Sequence, residues 1–405
     1  MDKPYMDRRS FLAGSVATVA LSGLANAQDA EEIRVGAPLP LTGALAPEGR
    51  KQKRGYDLWA AEVMKRGGIE VGGKKRPVRI IYSDYQSATP KGVQACEFLV
   101  NQEKVHFLFS PFGSGAAKAG SAIAERYKIP MLAATASSRE VYDQGFKYLF
   151  GTFTPNETLT DPLADLVVAK APAVKKVAIL SRNDLLPLSL ATALRGGVKR
   201  HNLDLVFDEK FAIGALDFAA PLTQLRSAAP DWVFVGGYIN DLILVRTQMR
   251  DLGIKPTVLT MIAGPAYEEY IKALNDAAEN VSSASWWHPS VRYEGEDMFG
   301  STQKYVETFK AAYNGDVPDY AEASASAVGA ILQLAIAKAN TIDGPAVRDA
   351  LAAMNVKTFW GPVHFGPSGQ IDSLTPPVFQ IQGGKTVVLL PDEVKQGDLK
   401  LGGIV

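Results

Sequence analysis

The sequence predicts an α/β protein made of two doubly wound parallel-sheet lobes, with the chain crossing between them more than once. Three observations predict it. Short β-rich runs alternate with helical runs along most of the chain, the mark of βα units and a parallel sheet covered on both faces. The alternation pauses near residues 152–156 and restarts. The last third adds helices with almost no new strands, so those helices must return to a sheet already made.

The first lobe opens with a strand at Ile33–Leu39 and a helix from Gly55 to Arg66. Strands follow at Val78–Tyr82, Val105–Ser110 and Ile129–Ala134, with helices from Pro90 to Asn101 and from Ala116 to Tyr127. Tyr148–Thr154 is extended. The second lobe reads as strands at Val177–Ser181, Asp204–Phe207, Trp232–Gly236, Thr257–Met261 and Val281–Trp286. Helices are expected at Thr158–Lys170, Ser189–His201, Phe218–Ala228, Asp241–Leu252 and Tyr267–Ala278. The tail has helical stretches at Gly300–Tyr313, Ala321–Ala339 and Ala346–Met354. It ends in β-runs at Pro377–Gln382 and Lys385–Leu390 about a Gly383-Gly384 turn. The expected division is residues 28–153 and 286–375 in lobe 1, with 154–285 and 376–405 in lobe 2. Hinges are expected near 152–156, 284–288 and 370–376.

Residues 1–27 read as an export signal. Arg8-Arg9 precedes an apolar run, Phe11–Leu24, which ends in Ala25-Asn26-Ala27. That run is too short for ~30 Å of hydrocarbon, which takes about 20 residues. The paired arginines favour the twin-arginine route, with cleavage between Ala27 and Gln28. Cys96 is the single cysteine, so no internal disulfide forms. No cysteine sits at the cleavage site, so the expectation is a soluble periplasmic monomer and not a lipoprotein. Lys and Arg total 43, as do Asp and Glu. Such a balance gives no footprint for nucleic acid or an anionic membrane.

Catalytic patterns are missing. His106, His201, His288 and His364 are dispersed, without metal-ligand spacing. There is no GxSxG or GxxxxGK[ST] run. Gly113-Ser114-Gly115 follows a strand, but Lys118 stands where a dinucleotide loop needs its third glycine. No cofactor, no metal and no enzymatic activity are expected.

Ligands of open α/β sheets sit outside the carboxyl ends of the strands. Two loops there carry small polar groups, Ser110–Gly115 and Thr135–Ser138. Both precede helices, whose free N–H groups attract anions. Ordinary capping by Ser and Thr accounts for them equally well. Phe112, Asp184, Tyr238, Trp286 and Trp287 are further cleft candidates. Adjacent strand residues point to opposite faces, so at most one of the two tryptophans faces the cleft.

The order and spacing of several pieces resemble the leucine/isoleucine/valine-binding protein family, the type I periplasmic solute-binding proteins of ABC importers. These are Gly36–Gly43, Gly55-Tyr56-Asp57-Leu58, Tyr82-Ser83-Asp84 before Pro90, Pro111–Gly115, Ile129–Leu132, Val233–Tyr238 and Phe359–Val363 with Phe365 and Gly369. The resemblance implies two lobes joined by three crossovers, and a binding component that closes on its ligand by a hinge and hands it to a membrane permease. It implies that Ser114, Gly115, Ala116, Thr135, Ala136 and Ser137 grip a ligand carboxylate and that Tyr238 closes over it.

Two departures bear on the ligand. Leu185-Leu186-Pro187 stands where amino-acid binders place a Tyr, and Met261–Pro265 lacks the acid that pairs a ligand ammonium. Either Asp184, Asp241 or another group supplies the charge, or the ligand has no α-ammonium. An amino acid or related small carboxylate is expected, with an aromatic or aliphatic acid or amide as the alternative. Leucine, isoleucine or valine bound in the family's usual manner is not.

Overall fold

The computed structural model describes residues 32–404. The export signal, with Arg8, Arg9, Ala27 and Gln28, lies outside the described residues. The first sheet has five parallel strands in the order Val78–Asp84, Ile33–Leu39, Phe107–Phe109, Met131–Ala133, Leu149–Gly151. The inner strands are almost wholly buried, as parallel strands covered on both faces should be.

The second sheet has seven strands. In order they are Lys385–Leu390, Val378–Gln382, Val281–Ala284, Val258–Ile262, Trp232–Gly236, Lys176–Arg182 and Asp204–Phe211. Five run parallel. Val378–Gln382 runs antiparallel to Val281–Ala284 and pairs antiparallel with Lys385–Leu390, to which it is joined by a tight turn at Gly383-Gly384 with φ of +60° and +71°.

The chain passes between the sheets three times. It leaves the first sheet after Gly151, the second after Ala284, and the first again after Ile371, which is tied back to Gly151. The long tail helix, Tyr320–Ala339, packs on the first helix, Ala46–Lys65. Small residues let the two axes approach. A Cβ on Gly55 would lie 2.2 Å from the Glu322 carbonyl, and one on Gly329 would lie 2.3 Å from the Trp59 ring. Tyr320–Ala339 is long and apolar enough to cross a membrane, but 83% of its most apolar window is buried, as in a core helix.

The first helix begins at Ala46 rather than Gly55. Pro47 fits a first helical turn, where its missing N–H costs nothing. That shift places Glu48, Lys51 and Gln52 on a helix and buries all three. The strand expected over Val281–Trp286 ends at Ala284, so strand alternation does not govern Trp286 and Trp287. Both are buried at the crossovers. Phe153 stacks on Trp286 at 4.0 Å and Trp360 stacks on Phe153 at 6.0 Å and on Trp287 at 6.3 Å. Trp286 donates to the Thr154 carbonyl (3.1 Å) and Trp360 to the Thr152 carbonyl (3.2 Å). Gln370 donates to the carbonyls of Ser137 (2.9 Å) and Phe153 (3.0 Å), tying two crossovers together.

Candidate functional site

The cleft lies where the carboxyl ends of the two sheets face each other. On the first lobe, Gly113 turns with φ +80° and Ser114 opens the helix Ser114–Tyr127. The Ser114 hydroxyl accepts the N–H groups of Ser137 and Ser138, each at 3.3 Å, and Thr135 Oγ1 accepts the N–H of Gly113. These bonds tie Ser114 and Gly113 to the Thr135–Ser138 loop; Gly115 and Ala116 line the cleft cavity, whereas Ala136 is buried in the core of the first lobe. The hydroxyls of Ser137 and Ser138 are buried without a hydrogen-bond partner. An orphaned buried polar group costs about 1–3 kcal/mol, so their presence needs a reason.

On the second lobe, Tyr238 precedes the helix Ile239–Asp251 and donates its N–H to Asp241 (3.1 Å). Asp241 also takes a buried ion pair from Arg182 at 2.8 Å. The Arg182 guanidinium lies 5.0 Å from the Tyr238 ring centre. Asp184 caps the helix Leu185–Arg200 through the Leu185 N–H (2.8 Å), and Arg182 Nε is 3.6 Å away. Burial holds the Tyr238 phenol well above its ordinary pKa, with the nearby Asp184 charge in the same direction. Ser181, at the end of its strand, also has a buried hydroxyl without a partner.

Ala263 follows the strand Val258–Ile262 with φ +89°, a conformation costly for a residue with a Cβ and concentrated at functional sites. Its carbonyl accepts from the Tyr320 hydroxyl (3.3 Å), and Tyr320 stacks on Tyr267 at 5.2 Å.

The lobes are closed on each other. Phe112 meets Tyr238 at 5.5 Å, and a Cβ on Gly113 would come 2.9 Å from the Tyr238 hydroxyl. Asp184 Oδ1 faces Gly115, 3.3 Å from where a Cβ would stand. Asn240 donates to the Ala44 carbonyl, and Lys51 pairs with Glu269 of the other lobe at 2.9 Å and with Asp319 at 2.8 Å. Glu48, 1% exposed, accepts the Ile239 N–H on Oε1 at 3.3 Å. A cavity of about 20 Å³ remains among Tyr85, Phe112, Gly113, Gly115, Asp184 and Tyr238. It holds about one water. A larger cavity, about 670 Å³, opens on the crossover side beside Lys51, Arg54 and Trp287. Most of the charges lining it are paired with one another: Lys51 with Glu269 and Asp319, Arg54 with Asp316 and Glu322, Lys272 with Glu268. We therefore place the candidate site in the cleft between the strand ends.

Trp286 borders this site only through Tyr320, at 5.6 Å. Trp287 lies farther back against Tyr305 and Trp360. Tyr85, which lines the cavity, Glu48, which meets Ile239 beside Tyr238, and Tyr267 and Tyr320 were not read from the sequence. Pro47-Glu48 is a helix-start signal that would have brought Glu48 forward. Among the described residues no three His, Cys, Asp or Glu side chains cluster as a metal site would.

Two lobes of this topology, closing over a polar cleft at their strand ends, define a bilobal solute-binding class. The chain belongs to the periplasmic binding protein family, whose pattern matches residues 32–385. Among relatives, Leu/Ile/Val-binding protein homolog 7 of Brucella suis biovar 1 (strain 1330) is 25% identical over 407 aligned positions, spanning 97% of this chain and 99% of the relative. The branched-chain amino acid transporter substrate binding protein LivJ from Streptococcus pneumoniae, solved with isoleucine, superposes with a TM-score of 0.78 at 23% identity, over 89% of this chain and 100% of that one. A solute binding protein of an R. palustris ABC transporter, solved with benzoate, gives 0.76 at 21%, over 90% and 99%.

Proposed function

We propose that this chain is the solute-binding component of an ABC importer, acting outside the cytoplasmic membrane. It captures an amino acid or related small carboxylate between its lobes and delivers it to a membrane permease. It carries out no chemical reaction on the solute. The observation that carries this reading is the set of buried, unpartnered polar atoms on facing lobes: the hydroxyls of Ser137, Ser138 and Ser181 and one carboxylate oxygen of Glu48. A polar solute satisfies such groups. The family match and the relatives named for branched-chain amino acids support the class of solute. The benzoate-bound relative favours, as a second reading, an amine-free acid.

In this proposal the lobes open and close about the three crossovers, near residues 152–156, 284–288 and 370–376. Arg8-Arg9 directs export by the twin-arginine route and the mature chain starts at Gln28, without a lipid anchor. A melting-point screen of the purified protein tests the function. A solute at a hundred times its dissociation constant stabilises the folded state by about 2.7 kcal/mol. At least one small carboxylate should raise the melting point by several degrees and be recovered unchanged after incubation. Turnover of that solute would point to an enzyme instead.

A further inference from the structure

The cleft contains an acid that its surroundings leave half satisfied. Glu48 projects from the first turn of the helix Ala46–Lys65, 1% exposed, with Oε1 on the Ile239 N–H and Oε2 without a hydrogen-bond partner. Its charge acts on Tyr85 and Tyr238, which line the small closed cavity, and on Tyr267 and Tyr320. We infer that Glu48 Oε2 receives a protonated amine of the bound solute, so that the solute is an amine-bearing acid. This rests on the proposal that a small solute binds between the lobes.

Three observations carry it. First, a buried carboxylate is costly unless it is paired, and among the described residues three cations near it are committed elsewhere. Arg182 is committed to Asp241, Lys51 to Glu269 and Asp319, and Arg54 to Asp316 and Glu322. Second, the other acids at the cleft are taken. Asp241 holds Arg182 and the Tyr238 N–H, and Asp184 caps its own helix beside Arg182. The stretch Ile262–Pro265, after its strand, has no acid at all. Third, the surroundings suit a cation. Tyrosine faces attract cations, and burial keeps the phenols of Tyr85, Tyr238, Tyr267 and Tyr320 neutral.

The same geometry makes a proton the competitor of the amine. Burial pushes Glu48 up from 4.5 to about 7 in the closed cleft, against the opposing Ile239 N–H. The charged groups that face it are Asp241, which raises it further, and Arg182, which lowers it. Closure over an amine-free acid therefore draws a proton onto Glu48. That closure is fully favoured below the open-state value and loses its advantage as pH rises towards 7. Closure over an amine-bearing acid leaves Glu48 ionised and needs no proton.

The test compares the twenty protein amino acids with their deaminated counterparts, plus benzoate, by melting point and then by calorimetry. The amino members should bind, and their deaminated partners, with the same carboxylate and body, should bind about tenfold or more weakly. Glu48→Gln should remove that preference, and Glu48→Asp should restore part of it. Wild-type protein gives a readout that needs no variant. Between pH 5.5 and 7, affinity for the amino member stays flat, whereas any binding of the deaminated member falls by up to about tenfold per pH unit. Equal affinity for both members of a pair, or a preference unchanged in folded Glu48→Gln, overturns the assignment. Binding of deaminated acids alone overturns it too, while leaving the small-carboxylate reading intact. No shift with any probe counts against that underlying reading and takes the assignment with it.

Discussion

The crossovers and the cleft are neighbours in the same structure, built in opposite ways. At the crossovers the rings of Phe153, Trp286, Trp287 and Trp360 stack. The indole N–H groups of Trp286 and Trp360 both reach backbone carbonyls, and Gln370 bridges two strands of chain. A few ångströms on, the cleft buries the hydroxyls of Ser137, Ser138 and Ser181 and one oxygen of Glu48 with nothing to bond. Gln370 touches both regions, since it donates to the Ser137 carbonyl while the Ser137 hydroxyl stays unpartnered. Apolar stacking fixes where the lobes join. The unpartnered hydroxyls and the Glu48 oxygen are what the proposed solute would satisfy, while at the crossovers only the Trp287 indole N–H lacks a partner among the stacked tryptophans. In the proposed function one region holds the fold and the other gives up stability for affinity.

The comparison predicts a separation of effects. The largest should come at the crossovers. Trp360→Ala removes a fully buried ring from the middle of the stack, and such changes cost about 3–5 kcal/mol. The melting point of the ligand-free protein should fall steeply. A melting point within a degree or two of wild type would show that the stack is not what ties the crossovers together.

The smaller effect should come at the cleft, on binding alone. Ser137→Ala deletes a hydroxyl that has no partner in the closed structure. It should leave ligand-free stability unchanged or slightly raised. Affinity for the solute should drop about tenfold or more, because a hydrogen bond to a charged group is worth about 1.5–3 kcal/mol. Unchanged affinity by calorimetry, with the fold intact, would reduce Ser137 to an ordinary loop residue. Ser114 differs, since its hydroxyl already holds the Ser137 and Ser138 amides. Ser114→Ala should therefore weaken both binding and loop order.

Much of this architecture was legible in the sequence, for a physical reason. Strands such as Trp232–Gly236 and Val258–Ile262 are buried on both faces and read as unbroken apolar runs between turn signals. The tail helix Tyr320–Ala339 was legible because an apolar helix of that length, broken by Ser324, Ser326 and Gln333, belongs inside a protein. Two hairpins were passed over, Ile69–Val71 with Lys74–Arg76 and Asn355–Thr358 with Gly361–His364. Their strands are short, and the first is mostly polar, so hydrophobic alternation gives little signal. The glycines at 72 and 73, with φ of +60° and +74°, were the clue.

The candidate site was legible only in part. The Ser114 and Ser137 loops follow strands and precede helices, so topology alone pointed to them. Glu48 lies in the charged stretch Glu48–Arg54, which looks like a solvated surface. Its burial depends on the opposite lobe, through Ile239, and on the tail helix that returns to cover the first one. Contacts made nearly two hundred residues apart leave no local pattern. The lack of an acid after Met261 was visible from the sequence, and Asp184 and Asp241 were named as alternatives, whereas Glu48 was not.

In the proposed function the cleft opens and closes about the crossovers. Small-angle scattering tests this most directly, on one sample measured without solute and then with a saturating carboxylate that raises its melting point. The radius of gyration should fall on saturation to the value calculated for the closed arrangement of residues 32–404. Identical profiles in the two conditions would contradict hinge closure as the way this chain takes its solute.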